Sequence, residues 1–397
     1  MLKPSVERTL LFVLTLVSFG MLTDLILIVP LGNLFTEALQ ITPQQFTVVI
    51  SAYKLSAAVV GLTGALVIDR FSRKAALIAI SAGFLLGMLC CMVATSYTML
   101  IVARIIAGGF GGLITALLFT IVGDVIPYQR RGKAMGMLFI GAGLASVLGV
   151  SFGLYLSENF QWQAAFIFIA IVMFLAIVLA AFGLPLMNGH IAAHQKKQSP
   201  FQFIYNTYKS YNARLALALA LLLYVGPVTI LMLMPAYLVK NVGMTQASVK
   251  LIYLLGGALN VAMSPLVGFL ADRFGKHRIL YILIVIMLVV TVVLTHLPPV
   301  SLVVMLATTS VFYILANSRM IPGDAMITAT VADHERGGFM SVISAMQQMM
   351  SGLASLAVGF IITEGPNGEI FNYNIVGYLA VLIGIASIFV VKALKVS

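Results

Sequence analysis

Apolar residues come in long runs along this chain, and charged residues or Pro/Gly-rich breaks interrupt them at near-regular intervals. A bilayer core about 30 Å thick takes roughly 20 apolar residues per helical crossing. On that measure the runs predict twelve membrane-spanning helices, at approximately 10–33, 46–68, 75–96, 98–122, 134–156, 163–186, 214–239, 250–270, 277–297, 300–328, 339–363 and 372–391. The longest polar stretch, 187–213, divides them six and six. The expected fold is therefore an all-α membrane protein of two six-helix bundles, 1–186 and 214–397, joined by a cytoplasmic linker at 187–213. The first run is flanked by Lys3 and Arg8 and leads into further helices, so it reads as an uncleaved span and not as a signal peptide.

Composition narrows the class. Hydrophobic residues make up 61% of the 397 and charged residues 9%, with a mean hydropathy of +1.09. Soluble domains average about 45–50% apolar and about 25% charged, so a soluble protein is excluded. Twelve crossings use roughly 240 residues, leaving no room for a large ectodomain or a nucleotide-binding domain. No Walker A sequence is present, His334-Glu335-Arg336-Gly337-Gly338 lacks the second histidine of a HExxH site, and there is no GxSxG elbow, so no motif supports an enzyme.

The net charge of +11 raises the question of nucleic acid. Placing the N-terminus inside puts 18 of the 23 Lys and Arg residues on cytoplasmic segments, with six acids, for a local +12. The outer loops come to −2 and the spans to +1. This is the positive-inside pattern, with both termini cytoplasmic, and nucleic acid is not needed to explain it. The adjacent Cys90 and Cys91 read as small packing residues with no disulfide framework, and His190 and His194 as solvated linker residues, so no metal is expected.

The two halves repeat each other. Asp69-Arg70-Phe71-Ser72-Arg73-Lys74 after the second span is matched 203 residues later by Asp272-Arg273-Phe274-Gly275-Lys276 after the eighth. Arg131-Gly132 is matched by Arg336-Gly337 at an offset of 205, and Gly143-Leu144-Ala145-Ser146 by Gly352-Leu353-Ala354-Ser355 at 209. Two pseudo-symmetric bundles with a path between them is the layout of secondary transporters.

Gly268-Phe269-Leu270-Ala271-Asp272-Arg273-Phe274-Gly275-Lys276 resembles the signature loop of the major facilitator superfamily. The first-half copy departs from it at Ala65 and Ser72, with Gly64 one position away. Arg104-Ile105-Ile106-Ala107-Gly108 resembles the fourth-helix motif of the proton-coupled exporters of that family. Gly149-Val150-Ser151-Phe152-Gly153 resembles their fifth-helix antiporter motif, with Ser151 in place of proline. The resemblance is closest to drug:proton antiporters and arabinose-efflux-permease-like exporters. It implies alternating access, with gating residues at Gly64, Asp69, Arg70, Arg73, Gly268, Asp272, Arg273 and Lys276.

Physically, Gly64 and Gly268 would let neighbouring helices approach closely. Asp69 and Asp272 could each latch against the positive end of a helix, for about 0.3–2 kcal/mol per contact. A stronger signal is charge inside the spans. Asp24 lies ~22 Å into the first span, Lys54 ~12 Å into the second and Arg104 ~9 Å into the fourth, all on the outer side of the bundle. A lone charge there costs at least ~2.5–3.5 kcal/mol, so the three are expected to face inward and pair. Burial favours the neutral carboxyl and a neighbouring cation the charged one, so motion that separates them would drive proton uptake at Asp24. The alternative is a permanent structural ion triad.

Tyr53 beside Lys54 is a candidate substrate contact, as are Tyr224 in the seventh span and Gln347 in the eleventh. Asn317 and Arg319 lie in the tenth span with Asp324, where Pro322-Gly323 should break the helix. Arg319 either lines a cavity or snorkels to the inner face. The expected function is proton-coupled export of a small organic, amphipathic substrate by a monomeric transporter in a prokaryotic inner membrane. No cofactor is expected beyond the coupling proton. The open alternatives are a symporter, a lysolipid-type carrier, or a membrane sensor or scaffold that moves nothing.

Overall fold

The computed structural model describes residues 4–68, 71–126, 130–187, 210–331, 336–366 and 368–394. These are almost entirely helical, and eleven of the helical segments are long and apolar enough to cross a membrane. The chain divides into two compact units, Met1–Leu39 with Ala52–Pro200, and Gln40–Ser51 with Phe201–Ser397.

The first unit holds α1 (Pro4–Leu27), α2 (Gly32–Ala38), the larger part of α3 (Pro43–Ile68), α4 (Arg73–Met92), α5 (Tyr97–Val125), α6 (Arg131–Leu144), α7 (Val150–Asn159) and α8 (Gln163–Gly183). α1 begins six residues before the apolar run, because Pro4 suits the first helical turn and Glu7 lies where the dipole favours an acid. α1 packs against α6 and α8, and α4 against α5 and α8. The fifth predicted span is not one helix. A single π-helical turn, Ala145–Gly149, separates α6 from α7 and packs on α1, where a Cβ at Gly149 would strike the Thr23 side chain.

The second unit holds α9 (Tyr211–Leu231), α10 (Met234–Lys240), α11 (Gln246–Phe274), α12 (Lys276–Thr295), α13 (Leu302–Ser318), α14 (Met320–Thr328), α15 (Arg336–Ile361), a two-stranded hairpin (β1 Thr363–Glu364, β2 Ile370–Phe371) and α16 (Tyr373–Ala393). α9 is its hub, packing on α14, α15 and α16 around a core that includes Ala220, Leu223, Ile284, Met326, Phe339 and Ile343. α15 has 26 residues, enough for a crossing by length, but Gln347, Gln348 and four serines dilute its apolar character. Its small residues seat the first turns of α3, which belong to this unit: the Ser355 hydroxyl donates to the Thr47 carbonyl (2.8 Å) and Ser51 to the Gly352 carbonyl (3.0 Å).

The tenth predicted span breaks at Arg319, three residues before the Pro322 that causes it. Proline has no N–H for the carbonyl four residues back, here that of Ser318, and its ring crowds that carbonyl. The helix therefore fails one turn upstream of the proline. Outward-facing residues are as apolar as the core. Phe174, Phe182, Val289 and Phe389 are each at least 60% exposed, as a bilayer requires and water would penalise.

Candidate functional site: two buried arginines

In the first unit, Asp24 and Arg104 form an ion pair. Arg104 Nη1 lies 2.5 Å from Asp24 Oδ1, with both side chains at most 1% exposed. Helix packing delivers this pair. α5 runs Gly108-Gly109-Phe110-Gly111-Gly112, and a Cβ at Gly108 or Gly112 would land on the α3 backbone at Tyr53 or Ala57. Two glycines four apart let backbones touch, and Ser56 closes the seam by donating to the Ile105 carbonyl (2.7 Å). That contact places the Tyr53 ring one turn from Gly108, with the Arg104 guanidinium 4.4 Å from its centroid. A cation over a tyrosine face is held by the ring quadrupole.

The pair is incompletely satisfied. Asp24 Oδ2, Arg104 Nε, Arg104 Nη2 and the neighbouring Thr23 hydroxyl are buried without hydrogen-bond partners among the described residues. Lys54, next to Tyr53 on α3, is half-buried. Cys91 of α4, fully buried, stands against the guanidinium. Asp24, Arg104 and Tyr53 thus form one constellation, with Asp24 three residues short of the end of α1 and beside the π-turn.

The second unit has a different answer to the same problem. Arg319 is 3% exposed, so it does not snorkel out of the unit. Its Nη2 donates to the main-chain carbonyl of Leu223. That carbonyl is available because Pro227 stands four residues further along α9 and has no N–H to give it. One turn earlier, Gln347 Nε2 donates to the Ala220 carbonyl (3.2 Å). Two predicted residues from two helices therefore grip adjoining turns of α9, with half-buried Tyr224 between the prolyl turn and Ala220. Asn317 is not part of this group: it is exposed and bonds back to the Tyr313 carbonyl (2.9 Å).

The signature loops differ as well. Asp69 and Arg70 lie outside the described residues. Arg73 is fully buried and both its Nε (2.9 Å) and Nη2 (2.7 Å) reach Asp124 Oδ2. Ser72 caps α4, and Lys74 Nζ donates to the last carbonyls of α8 at Ala181 (2.7 Å) and Leu184 (2.6 Å). Asp272, Arg273 and Lys276 are instead exposed around Gly275, whose φ of +93° turns the chain from α11 into α12. A close helix approach at Gly64 is real, since a Cβ there would strike Leu113. At Gly268 the expectation fails: a methyl would meet only Ile321, at 4.0 Å, an ordinary contact.

Three contributors escaped the sequence reading. Cys91 in an apolar run reads as a packing residue, the π-turn leaves no periodicity signal, and the Leu223 carbonyl is a backbone atom. Only the last had a usable marker, in Pro227.

The fold and the apolar length of its helices define a polytopic helical membrane protein with a buried arginine in each unit. A family model described as Major Facilitator Superfamily matches residues 11–321. The MFS-type transporter YtbD of Bacillus subtilis is 26% identical over 231 residues, 57% of this chain and 56% of that protein. The efflux pump dotC of Dothistroma septosporum is 36% identical over 122 residues, 30% of this chain and 21% of that one. Among solved structures, a D-xylose-proton symporter superposes with a TM-score of 0.79 over 99% of both chains at 15% identity, a likeness of fold alone. The chain spans about half the length of the first curated relatives it matches.

The chain belongs to the Major Facilitator Superfamily. Eleven helical segments among its described residues are long and apolar enough to cross a membrane, and MFS-type transporters and efflux pumps are among its relatives.

Proposed function

We propose that the protein exports a small, amphipathic organic substrate by alternating access, in exchange for protons, with Asp24 as the proton-carrying group. The observation that carries this reading is the Asp24–Arg104 pair: a carboxylate and a cation, both buried, with Asp24 Oδ2 left unpartnered. A pair kept only for stability is more cheaply replaced by apolar packing. A pair that parts during the cycle leaves a bare carboxylate in an apolar bundle, which takes a proton; its return to Arg104 releases the proton again. Tyr53 holds the guanidinium in reach throughout, and Lys54 adds a second cation on the same helix.

The halves 1–186 and 214–397 are joined by a cytoplasmic linker at 187–213, with both termini cytoplasmic and α15 completing twelve crossings. Tyr224, Arg319 and Gln347 shape the substrate site in the second bundle, with Tyr53 as a further contact. The exposed Asp272, Arg273 and Lys276, with Asp69, Arg70, Arg73, Gly64 and Gly268, act at the cytoplasmic gate. The working protein is a monomer in a prokaryotic inner membrane and needs no cofactor but the proton.

Flux into proteoliposomes under an imposed pH gradient tests this, with a panel of cationic and anionic fluorescent amphiphiles as probes. Antiport makes acid-inside vesicles accumulate a probe as protons leave. Accumulation only in acid-outside vesicles would show symport, and flux indifferent to the gradient would overturn proton coupling.

A further inference from the structure

We infer that Arg319 is an anion anchor, resting on the Leu223 carbonyl until a carboxylate or phosphate group of a bound molecule replaces it. This deepens the transport reading and rests on it for the identity of the bound molecule as cargo.

Arg319 is a full positive charge at 3% exposure, and among the described residues no acid pairs with it. Asp324, five residues on, is half-buried and makes no ion pair with it. A guanidinium offers five N–H donors and matches the two oxygens of a carboxylate or phosphate. Here one donor is spent on a neutral carbonyl and Nε has no partner. The preceding residue, Ser318, is fully buried with its hydroxyl unpartnered. A backbone carbonyl supplies only a partial charge, so the site is short of one negative charge and several acceptors.

The resting partner is also easy to leave. The Leu223 carbonyl is free only because Pro227 breaks the hydrogen-bond ladder of α9, and Arg319 itself sits at the break between α13 and α14. Gly323 lets α14 lie against Leu223, where a Cβ would come within 2.6 Å of Leu223 Cδ1. Gln347, already on the adjoining turn of α9, adds an amide donor at the same face. A cation placed merely to cap a carbonyl would be a costly plug where a neutral amide would serve. The geometry fits a charge held in reserve for an anion.

The test is ligand binding without any gradient, read as a shift in melting midpoint of protein in nanodiscs of pure phosphatidylcholine. Benzoate and phenyl phosphate are the probes, with benzamide and benzyl alcohol as neutral controls. The anions should stabilise the wild type, and the neutral pair should not. Pro227→Ala restores an N–H to the Leu223 carbonyl and so releases Arg319; it should tighten anion binding about threefold or more. Arg319→Gln in that Pro227→Ala background keeps the carbonyl bonded, so it should fold while weakening anion binding about tenfold or more.

Discs containing phosphatidylglycerol separate the sources. Stabilisation there that depends on Arg319 and does not occur with the soluble probes marks the anion as a lipid headgroup. Stabilisation by the soluble probes in phosphatidylcholine marks a free organic anion. Equal stabilisation by the neutral controls, an anion response that survives loss of Arg319, or no response in any arm overturns the inference. Failure here leaves proton coupling at Asp24 untouched, and failure of that coupling leaves this binding result standing.

Discussion

Arg104 and Arg319 are both buried to within a few per cent, one in each unit, yet their charges are handled differently. Arg104 faces a carboxylate on α1 and an aromatic ring on α3. Arg319 faces a carbonyl that a proline has set free. The first arrangement is neutral as it stands and can only gain or lose a proton. The second keeps a net charge and can gain an anion. Under the proposed mechanism, ion coupling falls to one repeat and cargo recognition to the other.

The largest expected difference between the two is in stability. Arg104→Gln strands Asp24 as a buried, unpaired carboxylate and should cost about 3–5 kcal/mol, whereas the double variant with Asp24→Asn should recover most of it. Arg319→Gln loses one charge-assisted hydrogen bond but also removes a buried cation, so its cost should stay below about 3 kcal/mol. Thermal melts in a common nanodisc settle the order. Equal losses at the two sites would break the comparison.

Next in size is the coupling between Arg319 and Pro227. In the Pro227→Ala background the Leu223 carbonyl has its own N–H, so the cost of Arg319→Gln should shrink by about 0.5–3 kcal/mol in a double-mutant cycle. No backbone change of this kind should rescue Arg104→Gln. Additive effects at 227 and 319 would mean that the carbonyl contact carries no energy.

Smaller effects come from the glycines that place each arginine. Gly108→Ala puts a methyl on the Tyr53 backbone and should cost about 1–3 kcal/mol, with loss of the tyrosine contact to Arg104. Gly323→Ala meets only the end of the Leu223 side chain, which can turn aside, and should cost less than about 1.5 kcal/mol. Gly268→Ala, which meets only Ile321 at an ordinary 4.0 Å, should fall within about 0.5 kcal/mol of the wild type.

Much of this was legible in the residues. Long apolar runs locate the crossings because a bilayer admits few other solutions, and charges inside them point to sites because such charges are expensive. Such charges mark Asp24, Lys54 and Arg104 as a trio expected to pair, and of these Asp24 and Arg104 form the ion pair. What escaped depended on the backbone. The break at Arg319 lies a turn before Pro322 because proline acts on the carbonyl four residues back. Arg319 took a main-chain partner, which no inventory of side chains contains. The π-turn at Ala145–Gly149 comes from packing on α1, not from a local pattern. The two signature loops match in sequence, yet Arg73 is sealed against Asp124 while its counterpart Lys276 is exposed.

The central claim is that Asp24 carries the coupled proton. The most direct test loads Asp24→Asn and wild-type protein into matched proteoliposomes and compares gradient-driven accumulation of a probe with its exchange at equal pH. Asp24→Asn should lose driven accumulation entirely while exchange continues. Driven accumulation at the wild-type level in Asp24→Asn would contradict it.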